Sequence, residues 1–111
     1  MRYSRAQRIS RSADIRRVQQ EGKVVRTRHF TIRVCASPLG FPRVGCIVPR
    51  HGRSAVDRNR LKRRLREVIR QDILPLRRGF DAVVRVGPGT YGQAYGDLRL
   101  ELGGALQRLP V

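Results

Sequence analysis

Seven of the 13 residues from 58 to 70 (RNRLKRRLREVIR) are basic: Arg58, Arg60, Lys62, Arg63, Arg64, Arg66 and Arg70. A guanidinium offers a planar fork of donors that matches phosphate oxygens in pairs and stacks on bases. Only Glu67 opposes these cations within the stretch. Such crowding of like charge costs an isolated helix stability, and an anionic partner reverses the sign of that term. The chemistry on offer is therefore electrostatic binding of a polyanion. Bond-breaking chemistry lacks candidates. No carboxylate pair is flanked by apolar residues as a general acid and base require, and no Ser or Cys stands at a motif position for His29 or His51. No Walker loop is present. Cys35, Cys46, His29 and His51 match no zinc spacing, so no metal site is expected on the chain.

The whole composition points the same way. Among 111 residues, 25 are basic and 8 acidic, a net charge of +17 that exceeds what solubility needs. Arg outnumbers Lys 23 to 2, a bias suited to nucleic acid. Phe and Tyr number six together, with no paired stacking aromatics of the kind found on base-reading sheets. Contacts to backbone and shape then dominate, which favours folded RNA over a specific duplex DNA site. No apolar run is long enough to span a membrane, and the first residues form no signal-peptide core. A cytoplasmic location is expected. Two cysteines make no disulfide framework; they are read as reduced, although a hairpin could place them face to face.

Elements must present these cations. At 100° per residue, Leu61, Leu65, Val68 and Ile69 share one arc of a helix, with Asn59, Arg63, Arg66 and Arg70 roughly opposite. Ser54 and Asp57 match a capping box, so the helix starts near Ala55. It runs to about Ile73, since Pro75 stops it. Upstream, residues 1–11 read as a flexible basic arm with Arg2, Arg5, Arg8 and Arg11. Ser12 would cap a short helix over 13–20, ended by Gly22, with Ile15 and Val18, and Ile9 before them, as its limited apolar face. Residues 23–37 read as a short strand and a longer one. In the longer one, Phe30, Ile32 and Val34 face a core, and Thr31, Arg33 and Cys35 face away. Pro38, Gly40 and Pro42 turn the chain into a strand over 44–48, followed by a basic loop over 50–53.

Residues 80–86 give another strand, with Val83 and Arg85 on its second side. The Gly87-Pro-Gly-Thr-Tyr-Gly92 run formally matches G-x-G-x-x-G. Only 19 residues follow it, so no dinucleotide-binding unit can be completed, and it reads as an ordinary turn. A last helix over 93–108 buries Leu98, Leu102, Ala105, Leu106 and Leu109, with Gly103 and Gly104 permitting close packing on the sheet. One α+β domain over 1–111 is expected, a small two-layer α/β sandwich. The arm, the basic loop, the helix, Arg33 and Arg85 could form one continuous cationic surface.

The order Arg43-Val-Gly45, Val48, then Ala55-Val56-x-Arg58-Asn59-Arg60-Leu61-Lys62-Arg63-x-x-Arg66-Glu67 resembles the protein subunit of bacterial ribonuclease P. The resemblance covers roughly residues 9–108. It implies the order αβββαβα and a four-stranded sheet, with the Arg-Asn-Arg helix in a left-handed βαβ crossover, contrary to the general rule. It also implies endonucleolytic removal of the 5′ leader from precursor tRNA by a ribonucleoprotein. In this family the RNA subunit holds the active site and Mg²⁺, the protein binds no cofactor of its own, and one monomeric protein joins each RNA. By position, the residues facing the RNA subunit would be Arg58, Asn59, Arg60, Lys62, Arg63, Arg66 and Arg70. The leader cleft would take in Ile15, Gln19, Thr31, Arg33, Lys62 and Arg66. The family often has aromatics at the positions of Ile15, Gln19 and Arg33, and this chain has none there. The competing reading is a structural, ribosomal-type RNA-binding protein with no part in catalysis.

Overall fold

Alternation in the second strand builds the centre of the molecule. The computed structural model describes residues 8–9, 11–73, 76 and 78–110. Arg2, Arg5, Ser4 and Ser10 of the arm, and Pro75, lie outside the described residues. The elements are α1 (Ser12–Glu21), β1 (Lys23–Arg26), β2 (Phe30–Ala36), β3 (Arg43–Ile47), α2 (Ala55–Asp72), β4 (Phe80–Val86), a 3-10 turn (Pro88–Gly92) and α3 (Tyr95–Gln107). The order is αβββαβα, and the sheet runs β1-β2-β4-β3. β2 is antiparallel to both β1 and β4, whereas β3 is parallel to β4. α2 is the crossover that joins this parallel pair.

The main core lies on one face of the sheet. Phe30, Ile32 and Val34 of β2 and Ala82, Val84 and Val86 of β4 meet Leu61, Leu65, Val68 and Ile69 of α2 and the Leu98, Leu102, Ala105, Leu106 stripe of α3. Each set follows its own period, two along the strands and 3.6 along the helices. The other face is not bare. α1 crosses it, and Val18 packs with Ile9 and Val83, flanked by Ile15, Cys35 and Ile47. The two-layer sandwich of sheet and α2/α3 thus gains a partial third layer.

Several local expectations are corrected. α1 begins at Ser12 itself; its N-cap is Arg11, which makes no side-chain capping bond. The Pro88–Gly92 turn is closed at Gln93, so α3 starts two residues later than its sequence suggests. Gly103 packs against α2, not the sheet: a Cβ there would stand 2.6 Å from Oδ2 of Asp72. Cys35 and Cys46 are both free and cannot face each other, because β4 separates β2 from β3. Cys35 is the register partner of Asp81, and Cys46 that of Val84.

Candidate nucleic-acid interface

α2 is fixed first at its N-terminus. Ser54 is extended, and its hydroxyl accepts from the Asp57 N–H at 3.1 Å. That satisfies one of the orphan donors of the first turn, and the Asp57 charge favours the positive helix end. The four apolar residues then turn inward, which sets the rotation of the helix about its axis. Asn59, Arg60, Arg63 and Arg66 are exposed as a result, and Arg58, Lys62 and Arg70 are half-buried. Among the described residues, Arg60, Lys62, Arg63 and Arg66 pair with no carboxylate. Lys62 is pushed below the ordinary lysine range by its burial and by the charges of Arg58 and Arg66.

Two of the seven expected RNA-facing residues are engaged within the protein. Arg58 Nε donates to the Val48 carbonyl at 2.7 Å, tying the first turns of α2 to the end of β3. Arg70 is ion-paired with Glu67, with Nε donating to Oε2 at 3.2 Å. The pair holds the Glu67 carboxyl below the usual carboxylate range.

The basic loop before α2 is braced by the glycine-rich turn. His51 and Gly52 both take positive φ, 50° and 81°. Gly52 does so without steric cost, and His51 completes a tight reversal. Tyr91 of the 3-10 turn donates its hydroxyl to the Pro49 carbonyl at 2.7 Å. The Arg53 guanidinium lies over the Tyr91 ring, 5.5 Å from its centroid, and His51 meets the ring edge-on. The G-x-G-x-x-G look-alike therefore acts as a support for the loop that leads into the basic helix.

The sheet face toward α1 carries the rest of the expected cleft. Register places Arg26, Thr31, Arg85 and Ile47 in one row across the sheet, with Val24, Arg33, Val83 and Gly45 in the next. Arg85 is exposed and Arg33 half-buried. Ile15 is half-buried beside Ile9, Val18 and Val83, while Gln19 is exposed on α1. Lys62 and Arg66 are not on this face. They reach the open edge of β3 from α2, where they line a cavity with Arg8, Ile9, Gly45 and Cys46. Ile9 belongs both to that cavity and to the Ile15 cluster. The six cleft residues therefore divide into two groups that meet at Ile9.

Two polar devices escaped the sequence reading. Asp81 is 1% exposed, and it receives Arg43 Nε at 2.8 Å, Arg43 Nη2 at 2.7 Å and Arg17 Nη2 at 2.5 Å. One carboxylate thus holds α1 and β3 onto β4. Glu101 of α3 accepts from Thr27 Oγ1 at 2.5 Å, the His29 N–H at 2.7 Å and Gln93 Nε2 at 3.0 Å, and it meets His29 Nδ1 at 2.6 Å. Burial alone would raise its carboxyl, but these bonds outweigh that and hold it below the ordinary range. Only the acids' places in the sequence, a lone Asp inside a strand and a lone Glu on a helix, hinted at either device. Among the described residues, no three His, Cys, Asp or Glu gather into a group able to hold a metal ion. None of their helices is long and apolar enough to cross a membrane.

The fold and surface define a small, strongly basic α+β domain built to meet a polyanion. The family model for ribonuclease P matches residues 3–110. The chain is 35% identical over 106 residues to the ribonuclease P protein component of Syntrophus aciditrophicus, covering 96% of this chain and 89% of that protein. It is 36% identical over 97 residues to the ribonuclease P protein component of Nitrosococcus oceani, covering 86% and 81%. In structure it is similar to the RNase P protein from Thermotoga maritima, with a TM-score of 0.82 at 26% identity, over 94% of this chain and 98% of that one. The Staphylococcus aureus RNase P protein gives 0.79 at 26% identity, over 93% and 94%. The chain belongs to the ribonuclease P protein family.

Proposed function

We propose that the chain acts as the protein subunit of ribonuclease P, in which a catalytic RNA removes the 5′ leader from precursor tRNA. The observation that carries this reading is the exposed row of Arg60, Arg63 and Arg66 with Asn59, in a chain of this family. Cations without internal carboxylate partners keep their full attraction for phosphate. On this reading the protein's contribution is positional and electrostatic. It offsets repulsion between two large RNAs, holds the leader in line and lowers the demand for Mg²⁺. The RNA subunit holds the Mg²⁺ and supplies the reacting groups; the chain's own side chains bind and orient.

Arg60, Arg63 and Arg66, with Asn59 and Lys62, are assigned to the RNA subunit. Arg58 fixes the register of the helix, and Arg70 adds charge at its far end. The leader runs past Ile15, Gln19, Thr31 and Arg33 toward Lys62 and Arg66. Ile15, Gln19 and Arg33 stand where the family often has aromatics, so aliphatic contact and guanidinium planes replace ring stacking. One protein monomer serves one RNA in the cytoplasm.

The test is reconstitution. The purified chain is mixed with ribonuclease P RNA and precursor tRNA at low Mg²⁺, and 5′ cleavage is followed. Stimulation over RNA alone is expected. Tight RNA binding with no stimulation would return the chain to a purely structural role.

A further inference from the structure

Where β2 begins and β4 ends, the chain closes a basic cavity that takes no residue from α2. Its volume is about 220 Å³, and Arg28, His29, Thr31, His51, Arg85 and Gly87 are among the residues that line it. Three separate stretches meet there: the turn between β1 and β2, the loop before α2 and the end of β4. Backbone bonds fix them. The Gly87 N–H donates to the His29 carbonyl at 2.8 Å, and the Thr90 hydroxyl donates to the same oxygen at 3.3 Å. His51 Nε2 donates to the Val86 carbonyl at 3.3 Å, which ties the basic loop to the end of β4.

No carboxylate lines this cavity. Glu101 bonds Thr27 and His29, on either side of Arg28 in the chain, and is taken up by them and by Gln93. Arg28 also borders the neighbouring cavity that holds Asp97. Yet among the described residues neither Arg28 nor Arg85 pairs with an acid, and both are exposed. Two guanidiniums brought to one cavity without a counter-charge repel each other, and an anion between them reverses that sign. A volume below the roughly 300 Å³ at which small-molecule pockets begin suits a single phosphate group.

Register shows which phosphate can arrive. Thr31, a residue of the leader cleft, also lines this cavity, and Arg85 is its partner across the β2–β4 ladder. Both lie on the face away from the main core, since Phe30, Ile32, Val84 and Val86 beside them belong to that core. A single strand that passes Thr31 therefore meets Arg85 next. We infer that Arg28 and Arg85 together hold one phosphodiester of the 5′ leader, beyond the cleft, and that His51 fixes the loop bounding the site. The inference rests on the chain being the ribonuclease P subunit that contacts the leader, and it adds a contact that neither α1 nor α2 supplies.

The experiment measures binding of the reconstituted enzyme to mature tRNA and to precursors whose leaders lengthen one nucleotide at a time, across a salt series. One phosphate of a single strand is worth about 0.7 unit of salt slope. With the unaltered chain, the slope should steepen by that amount at the leader length that reaches the cavity. An Arg28→Ala, Arg85→Ala double variant should lose this step and match the unaltered chain on shorter leaders, on mature tRNA and on ribonuclease P RNA alone. Arg85→Lys keeps the charge and should keep the step. Circular dichroism checks the fold, and Arg85→Gln alone replaces the double variant if that one does not fold. A step that survives in the variant would overturn the proposal, as would an equal loss on every leader length or a loss on ribonuclease P RNA alone. A loss of about 1.4 units would mean that each arginine meets its own phosphate, and it would overturn the shared site. Arg63→Ala separates the two levels. If it weakens binding of ribonuclease P RNA while the leader step survives loss of Arg28 and Arg85, only this inference fails; if it leaves RNA binding unchanged, the assignment of the α2 surface fails.

Discussion

Asp81 and Glu101 show how single carboxylates organise a chain dominated by cations. Asp81 is buried within β4 and satisfied by two guanidiniums that come from 38 and 64 residues away. Replacing it by Asn removes the charge while nearly preserving shape. Breaking a buried pair costs about 3–5 kcal/mol, and the lower end applies because Arg17 and Arg43 still reach solvent, at 37% and 22% exposure. Asp81→Asn should therefore lower stability by about 3 kcal/mol in urea melts. A loss under about 1 kcal/mol would mean that packing alone holds α1 in place. Glu101 gives a pH dependence. Its carboxyl titrates lower in the folded chain than in the unfolded one, so the folded state binds fewer protons. Its contribution is complete above the ordinary carboxylate range, near 4.5, and is lost as pH falls through the lower folded value. Glu101→Gln should cost stability at neutral pH, and the gap between the two proteins should narrow as the solution is acidified below that range. Parallel curves in chemical melts across pH would show that the hydrogen bonds count equally in either charge state.

At the scale of elements, α2 separates contact from support within one run of basic residues. Arg60 and Arg63 are exposed and unpaired, so Ala at either should reduce the salt slope of RNA binding by about one unit. Arg70 is neutralised in part by Glu67, and its loss frees a negative charge beside the surface. Arg70→Ala should therefore change the slope less than Arg63→Ala; equal changes would mean that the Arg70–Glu67 pair opens on binding. Much of this element was legible in advance. The buried arc Leu61, Leu65, Val68, Ile69 and the Ser54 cap follow from period and local chemistry, which adjacent residues determine. The engagement of Arg58 with Val48 was not legible, because an arginine's partner depends on where the preceding loop returns. The support of that loop by Tyr91 was equally hidden, since it joins residues 42 apart. The strand order β1-β2-β4-β3 follows from no local pattern either: alternation says which face a residue takes, not which strand lies beside it. The order of elements was legible from period and turn residues, and the family resemblance implied the same order; the parallel pairing of β3 with β4 is what brings Lys62 and Arg66 to the sheet edge.

At the scale of the molecule, the balance of +17 is unevenly compensated. Of the eight acids, Glu67, Asp72 and Asp81 are committed to ion pairs with arginines, Glu101 is taken up by hydrogen bonds from Thr27, His29 and Gln93, and Asp57 sits in the first turn of α2. Structural needs thus absorb most of the negative charge, and Arg60, Lys62, Arg63 and Arg66 are left without it. A folded chain with this surface should be stabilised by any compact anion that binds it and not its unfolded form. A ligand at ~100 times its dissociation constant adds about 2.7 kcal/mol. In a domain of about 100 residues, each 1 kcal/mol raises the melting midpoint by roughly 4–8 °C. Inorganic pyrophosphate at low millimolar concentration is too dilute to act by general salting-out, so its effect reports binding. The midpoint should rise well beyond that in sodium chloride of equal ionic strength, and the rise should shrink in a Lys62→Ala, Arg66→Ala double variant. Equal shifts with both salts would mean that the cations feel only screening, with no place on the surface where they converge on one anion.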